Sequence, residues 1–417
     1  MATYEQLRAA MDHEMRAADP ARVSALKAAL ATLGHPDRAF RIIHLAGTNG
    51  KGSTGAFLAA ALTHAGALVG HFASPPLGGE LNQTKLAGRA IPAATYAQTL
   101  TAIQTQLGVT GAAFTTFEWD VLVSLQWYAT QHADWVVLEA GLGGATDATN
   151  AIDAPALAIF THIALDHTAI LGPTVTAIAR NKAAIIKPGT TVVIAPHQEP
   201  AARAVLAEAA TVRGATAVRN AATITAAIQA ATFAGTQLTL AGQPVTLRML
   251  GGHQIDNART AWVAAQVLVQ WGALPDLTPL VHALATVQLP GRLQPLADPP
   301  HTFIDAGHNP DALAQVLATL RRLMVPDARL LVVAGFLADK DTTTLAHQLA
   351  SADRVWVTTP THPTRALSGA ALQTLVPGSQ LTPSVQAGLA AASARAKPTD
   401  VVLVTGSFYL IGGLLND

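Results

Sequence analysis

The chain contains no cysteine. That excludes a disulfide framework, a thiolate metal site and a cysteine nucleophile. Charge is scarce too. Only 12% of the 417 residues are charged, and Lys+Arg and Asp+Glu number 26 each, for a formal net charge of zero. This balance speaks against a broad nucleic-acid surface and leaves room for no more than a local basic cleft. There is no clean membrane-length apolar run. Residues 52–79 lack formal charge, but His64, Gly66, Gly70, His71, Pro75 and Pro76 interrupt them, which suits helix-turn-strand better than a span. Residues 1–22 are charged and amphipathic, without the apolar core of a signal peptide. A soluble cytoplasmic protein, with no membrane or nucleic-acid partner, is therefore expected.

What the chain does have is apolar mass. Half of it is hydrophobic, and its length exceeds what one core usually serves, so two or three domains are expected. The rest is organised around residues 41–54. Ile42 to Leu45 reads as a buried strand. Gly47, Gly50 and Gly52 punctuate the loop after it, and an Ala/Leu-rich helix follows from Thr54 to about His64. Glycines let backbone N–H groups turn toward a phosphate, and the helix N-terminus adds a favourable dipole. Lys51 can neutralise a β- or γ-phosphate, and the Ser53 hydroxyl can sit on Mg²⁺. The spacing differs from G-x-x-x-x-G-K-[ST], since Gly52 separates Lys51 from Ser53.

Residues 3–33 read as one or two helices, with Leu7, Met11 and Met15 at helical spacing and a break at Asp19-Pro20. A strand is expected at 67–72, then a long irregular segment to Pro92, a length that usually marks a functional loop. Helices are expected at 95–107 and 117–130, the latter capped by Thr115 or Thr116 near Glu118. Strands at 134–139, 157–161 and 191–194 flank a helix at 174–186. Residues 202–250 mix a helix with weak strand patterns, and 256–271 is an apolar helix. The pattern breaks at Pro290-Gly291-Arg292-Leu293. Beyond it, strands at 302–305, 329–334, 354–358 and 400–404 alternate with helices at 311–324, 342–350 and 380–394. The expected architecture is α/β: a large P-loop-type nucleotide-binding domain over 1–292 and a smaller Rossmann-like domain over 293–417.

In α/β sheets, ligands bind outside the carboxyl ends of the strands. Glu139 stands at such an end before Gly-Leu-Gly-Gly144, as a Mg²⁺-associated acid or a solvated strand terminus. Asp166-His167 follows the next strand, as a turn or as an imidazole for a metal near Ser53 and Glu139. Lys182 lies in an apolar helix segment. It is either a snorkelling lysine or a buried amine of lowered pKa that can react with CO₂ to give a metal-binding carbamate. Asp305 and His308 follow a strand of the second unit, where one can hold a ribose and the other face phosphate, or both can simply form a capped turn. Arg292 is placed to reach a γ-phosphate on domain closure, or to form an inter-domain ion pair.

In this order, these segments resemble the folylpolyglutamate synthase/dihydrofolate synthase family of the Mur ligase superfamily. The likeness runs from Gly47-Thr-Asn-Gly-Lys-Gly-Ser53 to Val404-Thr-Gly-Ser-Phe-Tyr-Leu410. It passes through Thr116-Phe-Glu118, Glu139-Ala-Gly-Leu-Gly-Gly144, Thr146-Asp-Ala-Thr-Asn150, Leu165-Asp-His167, Lys182-Ala-Ala-Ile-Ile-Lys187, Gly252-His-Gln254, Asn257-Ala258, Pro290-Gly-Arg-Leu293, Asp305-Ala-Gly-His-Asn-Pro310 and Asp339-Lys-Asp341. The resemblance implies ATP bound on Thr48, Asn49, Gly50, Lys51, Gly52 and Ser53. It implies one Mg²⁺ on Ser53 and Glu139, a second ion on His167, and carbamylation of Lys182, with Lys51, Lys182 and His167 as the catalytic set. Asn257, Arg292, Asp305 and His308 correspond to nucleotide contacts. The implied reaction joins L-glutamate to the γ-carboxylate of a folate, or to dihydropteroate, through an acyl phosphate, in a monomer.

The chain departs from the family pattern at four places. Pro76 follows Ser74-Pro75, Asn82-Gln83 replaces Glu-Arg, Ala145 follows Gly144 in place of Arg, and Asn181 replaces the Glu before the modified lysine. The first two fall in the loop associated with folate. A Mur-type ligase for another carboxylate, or a nucleotide-binding protein without turnover, are the alternative readings.

Overall fold

A computed structural model describes residues 2–13 and 19–415, so Met15 lies outside the described residues. The chain divides into two compact units. One comprises Met1–Ala226, Leu240–Gly242 and Asp256–Ala285; the other comprises Ala227–Thr239, Gln243–Ile255 and Thr286–Asp417. The second unit takes in the pattern break at Pro290–Leu293, together with 227–239 and 243–250 of the poorly read stretch 202–250.

The first unit is built on eight strands: β1 (Arg41–Ala46), β2 (Val69–Phe72), β3 (Thr84–Leu86), β4 (Arg89–Ala90), β5 (Trp135–Glu139), β6 (Leu157–Phe160), β7 (Thr191–Ile194) and β8 (Ala217–Asn220). They lie in the order β4-β3-β2-β5-β1-β6-β7-β8. β3 and β4 are antiparallel additions at one edge, and every other pairing is parallel. β1 is central, and all of it except Arg41 is buried. A strand covered on both faces reads as a continuous apolar run, which is why Ile42–Leu45 was legible. One cluster of buried residues includes Trp119, Leu122, Tyr128 and Leu138, and a second includes Phe160, Ile178, Val192 and Leu206. Parallel strands carry the loops after β1, β2, β5 and β6 out at one edge of the sheet.

Several expected boundaries shift. The helix after the glycine loop starts at Lys51 rather than Thr54, because glycine carries no periodic signal. The segment 174–186 splits into a helix Val175–Lys182 and a 3-10 turn Ala183–Ile185. The irregular stretch before Pro92 contains a 3-10 turn, Glu80–Gln83, and the short pair β3–β4; strands of two or three residues are too short to show alternation. The turn is tied down by Glu80, which pairs with Arg8 at 2.8 Å and accepts from the Tyr4 hydroxyl at 3.0 Å. Arg8 is itself anchored on the buried carboxylate of Asp120 at 2.5 Å. The expected cap is as read: Thr115 and Glu118 form a capping box.

In the rest of the chain, β9 (Ala226–Thr232), β10 (Gly235–Leu240) and β11 (Gln243–Leu247) form a small sheet in the order β11-β10-β9. The edge strand β9 is exposed along nearly its whole length. Six further strands, β12 (Gln294–Ala297), β13 (His301–Asp305), β14 (Leu330–Ala334), β15 (Arg354–Val357), β16 (Gln380–Leu381) and β17 (Val401–Thr405), lie in the order β12-β13-β17-β14-β15-β16. Only β12 runs antiparallel to its neighbour. Leu313, Leu320, Val332, Phe336 and Leu403 belong to its core. The expected helix over 380–394 resolves into β16 and a helix Val385–Ser393, separated where Ser384 caps the helix through the Ala387 N–H. A helix at Gly369–Leu375 was not anticipated. Among the described residues, no helix is long and apolar enough to cross a membrane.

Candidate active site

The glycine loop is fixed by contacts that leave no room for side chains. A Cβ on Gly47 would lie 1.9 Å from Thr161 Oγ1, just past the end of β6. The Thr48 N–H donates to the His162 carbonyl at 2.8 Å, and the Thr48 hydroxyl donates to Ala164 O at 2.9 Å. The loop after β1 is thus strapped to the loop after β6. Gly50 has φ +93, and a Cβ there would meet Asn257 Oδ1 at 2.2 Å. Asn257, about two hundred residues away in the chain, is therefore brought against the loop. Gly50→Ala combines left-handed backbone with that clash. The backbone term alone is about 1–2 kcal/mol, so the variant is expected to unfold at lower temperature and to bind ADP at least tenfold more weakly, as read by thermal melting and calorimetric titration.

Two lysines converge on one carbonyl. Lys51 Nζ donates to Gly47 O at 3.1 Å, and Lys182 Nζ donates to the same oxygen at 2.8 Å. Lys182 is 3% exposed. Burial, and then the charge of Lys51, push its pKa down to about 7, with Asp166 and Asp147 acting in the opposite direction. A substantial part of the amine is therefore neutral at physiological pH, unlike an ordinary lysine. Asp166 belongs to the Asp166-His167 turn that follows β6. His167 itself adopts φ +48 and starts the short helix Thr168–Leu171, its imidazole 3.8 Å from Asp166 Oδ1.

Glu139, buried at the end of β5, reaches to within 3.7 Å of Lys51 Nζ. Its Oε2 lies 3.6 Å from the Cβ direction of Gly52, so the carboxylate is aimed at the start of the loop helix. Ser53, one residue on, is 2% exposed. A buried carboxylate and a hydroxyl converging on a helix N-terminus are the hard oxygen donors that suit Mg²⁺, and the residues present fit such an ion.

Residues to which the sequence gave no role of their own hold these groups in place. Asp147 accepts from Leu142 N at 2.7 Å and from Thr149 N at 3.0 Å, closing the loop after β5. His44, fully buried in β1, is pushed down to a pKa of about 3 by desolvation, then by Lys187, and is hydrogen-bonded to the Thr149 hydroxyl at 2.8 Å. Asp147 came into view only within the family motif Thr146-Asp-Ala-Thr-Asn150, and its Asp-x-Thr spacing is the signal that could have marked it as a cap. His44 looked like one more strand residue, and Thr161 gave no signal.

Two departures from the family pattern turn out to be neighbours. The Ala145 N–H donates to Asn181 Oδ1 at 3.3 Å. The contact is neutral and uses the backbone of residue 145 rather than its side chain. In the other altered loop, Asn82 closes on itself by donating from Nδ2 to Gly78 O at 2.7 Å, and Gln83 is buried.

In the second unit, the Arg292 guanidinium lies 5.1 Å from the centre of the Phe408 ring, and the His308 ring lies 6.1 Å from it. Asp305 accepts from Leu293 N at 2.8 Å and Gly307 N at 2.7 Å. Burial raises its pKa while Arg292 opposes the shift. Both oxygens thus organise the turns on either side, and each keeps a further lone pair for a ligand. Phe408, the ring between Arg292 and His308, was not singled out from the sequence.

The fold and this site define an ATP-dependent ligase of the Mur type. Residues 45–265 match the Mur ligase middle domain, and 291–408 match the Mur ligase glutamate ligase domain. The folylpolyglutamate synthase of Lacticaseibacillus casei is 34% identical over 394 residues, covering 91% of this chain and 90% of that protein. The chain therefore belongs to the folylpolyglutamate synthase/dihydrofolate synthase family. It also spans 48% of the length of a probable bifunctional folylpolyglutamate synthase/dihydropteroate synthase from Halobacterium salinarum, at 33% identity. Among solved structures, Escherichia coli FolC in complex with DHPP and ADP superposes with a TM-score of 0.82 at 28% identity, covering 99% of this chain and 94% of that one. A bifunctional folylpolyglutamate synthase/dihydrofolate synthase with Mn, AMPPNP and L-glutamate bound gives 0.81 at 27% identity, covering 99% and 95%.

Proposed function

We propose that this ligase attaches L-glutamate to the γ-carboxylate of a reduced folate, with dihydropteroate as a second acceptor, at the expense of ATP. The observation that carries this reading is the convergence of Lys51 and Lys182 on the Gly47 carbonyl, with Glu139 3.7 Å from Lys51. A lysine ammonium, a second and buried lysine amine and a buried carboxylate at a helix N-terminus form a setting for a polyphosphate and a metal. Residues 1–292 serve as the ATP-binding part, including the folate loop, and 293–417 as the glutamate ligase domain. Thr48 to Ser53 cradle the phosphates, while Asn257, Arg292, Asp305 and His308 contact the rest of the nucleotide. Ser53 and Glu139 hold one Mg²⁺, and His167 with Lys182 holds a second. When bound, the metal draws negative charge off the phosphoryl group in transfer.

A carboxylate resists attack by an amine because oxide is a poor leaving group. Transfer of the γ-phosphoryl to the acceptor carboxylate gives an acyl phosphate and ADP; the glutamate amine then attacks the acyl carbon, and phosphate leaves. Lys51 stabilises charge on the phosphoryl oxygens as it moves. The Lys182 amine, depressed to a pKa of about 7, attacks CO₂ through its lone pair and releases a proton to solvent, leaving an anionic carbamate. The enzyme acts as a monomer in the cytoplasm.

ADP release by the purified protein with MgATP and L-glutamate tests the reading. Turnover is expected only when both glutamate and an acceptor are present, with tetrahydrofolate and dihydropteroate each supporting it. ADP release without glutamate would sink the ligase assignment. Silence with both acceptors would favour another carboxylate, for which the rebuilt loop around Pro76, Asn82 and Gln83 supplies the motive.

A further inference from the structure

We propose that His35, Asp37 and Asp153 form a binding site for one divalent transition-metal cation of the zinc class, at the edge of the first unit's sheet opposite the glycine loop. His35-Pro36-Asp37 lies in the turn leading into β1, and Asp153 lies in the segment leading into β6, the strand beside it. One donor atom from each residue lies within 4.8 Å of the others. An acidic group near a histidine is common on a protein surface and means little by itself. Asp37 is the unusual member. The residue is 4% exposed and its Oδ1 has no hydrogen-bond partner. Its other oxygen accepts from Asp153 N at 2.8 Å, which fixes the carboxylate and turns Oδ1 toward the cluster. A buried carboxylate oxygen without a donor is costly, and His35 Nδ1 lies 3.7 Å from it, too far for a hydrogen bond.

That spacing suits a shared ion. Ligands about 2.0–2.2 Å from a tetrahedral zinc stand roughly 3.3–3.5 Å from one another. His35 adopts left-handed backbone, φ 57, which directs its ring without a helix to constrain it. Asp153 Oδ2 accepts from Arg38 Nε at 2.5 Å, leaving Oδ1 for coordination and holding the side chain in place. The other nearby cation, Lys187, donates to the carbonyls of Asn150 and Ile152 at 2.8 and 2.5 Å. The His35 and Asp153 side chains are 31% and 55% exposed, so an ion has an entry path. One imidazole and two carboxylates favour zinc, cobalt or manganese over calcium. The site is separate from the Mg²⁺ ligands. β1 runs from Arg41 beside this cluster to Ala46 at the glycine loop, about 17 Å at 3.3 Å per residue. The ion would fasten the entrances of two adjacent core strands, and its role is structural.

The full chain, stripped with chelator and reloaded with ZnCl₂ in the presence of excess Mg²⁺ and ADP, is passed over a desalting column and its zinc content measured. Wild type is expected to keep one more zinc per chain than His35→Asn, a substitution that tolerates left-handed backbone, and than Asp153→Asn. Zinc should also raise the wild-type melting temperature by about 2–4 °C and leave both variants unmoved. Co²⁺ in place of zinc should give visible absorption bands in the wild type alone. Equal zinc content and equal melting shifts in all three proteins would overturn the site. Should His35→Asn fail to fold, the exposed Asp153→Asn decides by the same readings.

Discussion

Lys51→Ala is expected to release ADP on the order of a thousandfold more slowly than the wild type, a barrier increase of about 4 kcal/mol. The ammonium group sits at the mouth of the loop, between the Gly47 carbonyl and the Glu139 carboxylate. Removing it takes away a preorganised positive charge where phosphoryl charge develops, and removes the 3.7 Å contact with the buried Glu139 carboxylate. Both effects act on the chemical step, so kcat should fall more than the affinity for ADP. Near-normal turnover with an intact fold would refute the phosphate-cradle role. Lys51→Arg discriminates further. It keeps the charge but presents a planar fork that does not match a point contact, and partial recovery is expected.

Lys182→Ala should lose activity on the order of a hundredfold or more, and the loss should depend on what else is in solution. If the working form of Lys182 is an anionic carbamate, added formate or acetate should restore part of the activity in the variant by supplying a small carboxylate to the same pocket. A purely structural lysine would show no such rescue. The wild type carries a matching pH signature. A lysine with a folded-state pKa of about 7 binds fewer protons than its unfolded counterpart between pH 7 and about 10.4. Its burial therefore destabilises the fold most below pH 7, and the penalty is relieved as pH rises through that window. Carbamylation needs the neutral amine, so activity at fixed low CO₂ should fall as pH drops through 7, and added bicarbonate should offset the fall. Full activity of Lys182→Ala without added carboxylate would count against any catalytic role.

The architecture was legible wherever burial wrote itself into the sequence. β1, β5, β7 and β17 are apolar runs because both faces are covered. The helix Thr116–Thr130 announced its start through a capping box. The reading weakened where structure depends on partners distant in the chain. β3 and β4 are held by pairing along β2 rather than by a pattern of their own, and the sheet β9–β11 mixes polar and small residues on strands with little burial. At the site, loop glycines and strand-end carboxylates were visible because ligand chemistry restricts residue type. The supports, His44, Thr161 and Phe408, look like ordinary core or turn residues until the chain is folded. The meeting of Ala145 with Asn181 is likewise invisible in one dimension.

The small sheet bears on how this protein behaves in a tube. Between Arg219 and Arg248 the chain carries no charged side chain, and β9 closes that sheet with a rim open to solvent. Natural sheets guard such rims with lysine, proline or a bulge, and β9 has none of the first two. Shelf life at high concentration, and yield during expression while the chain is still collapsing, are expected to be sensitive to this stretch. Formulation and crystallisation work should begin there.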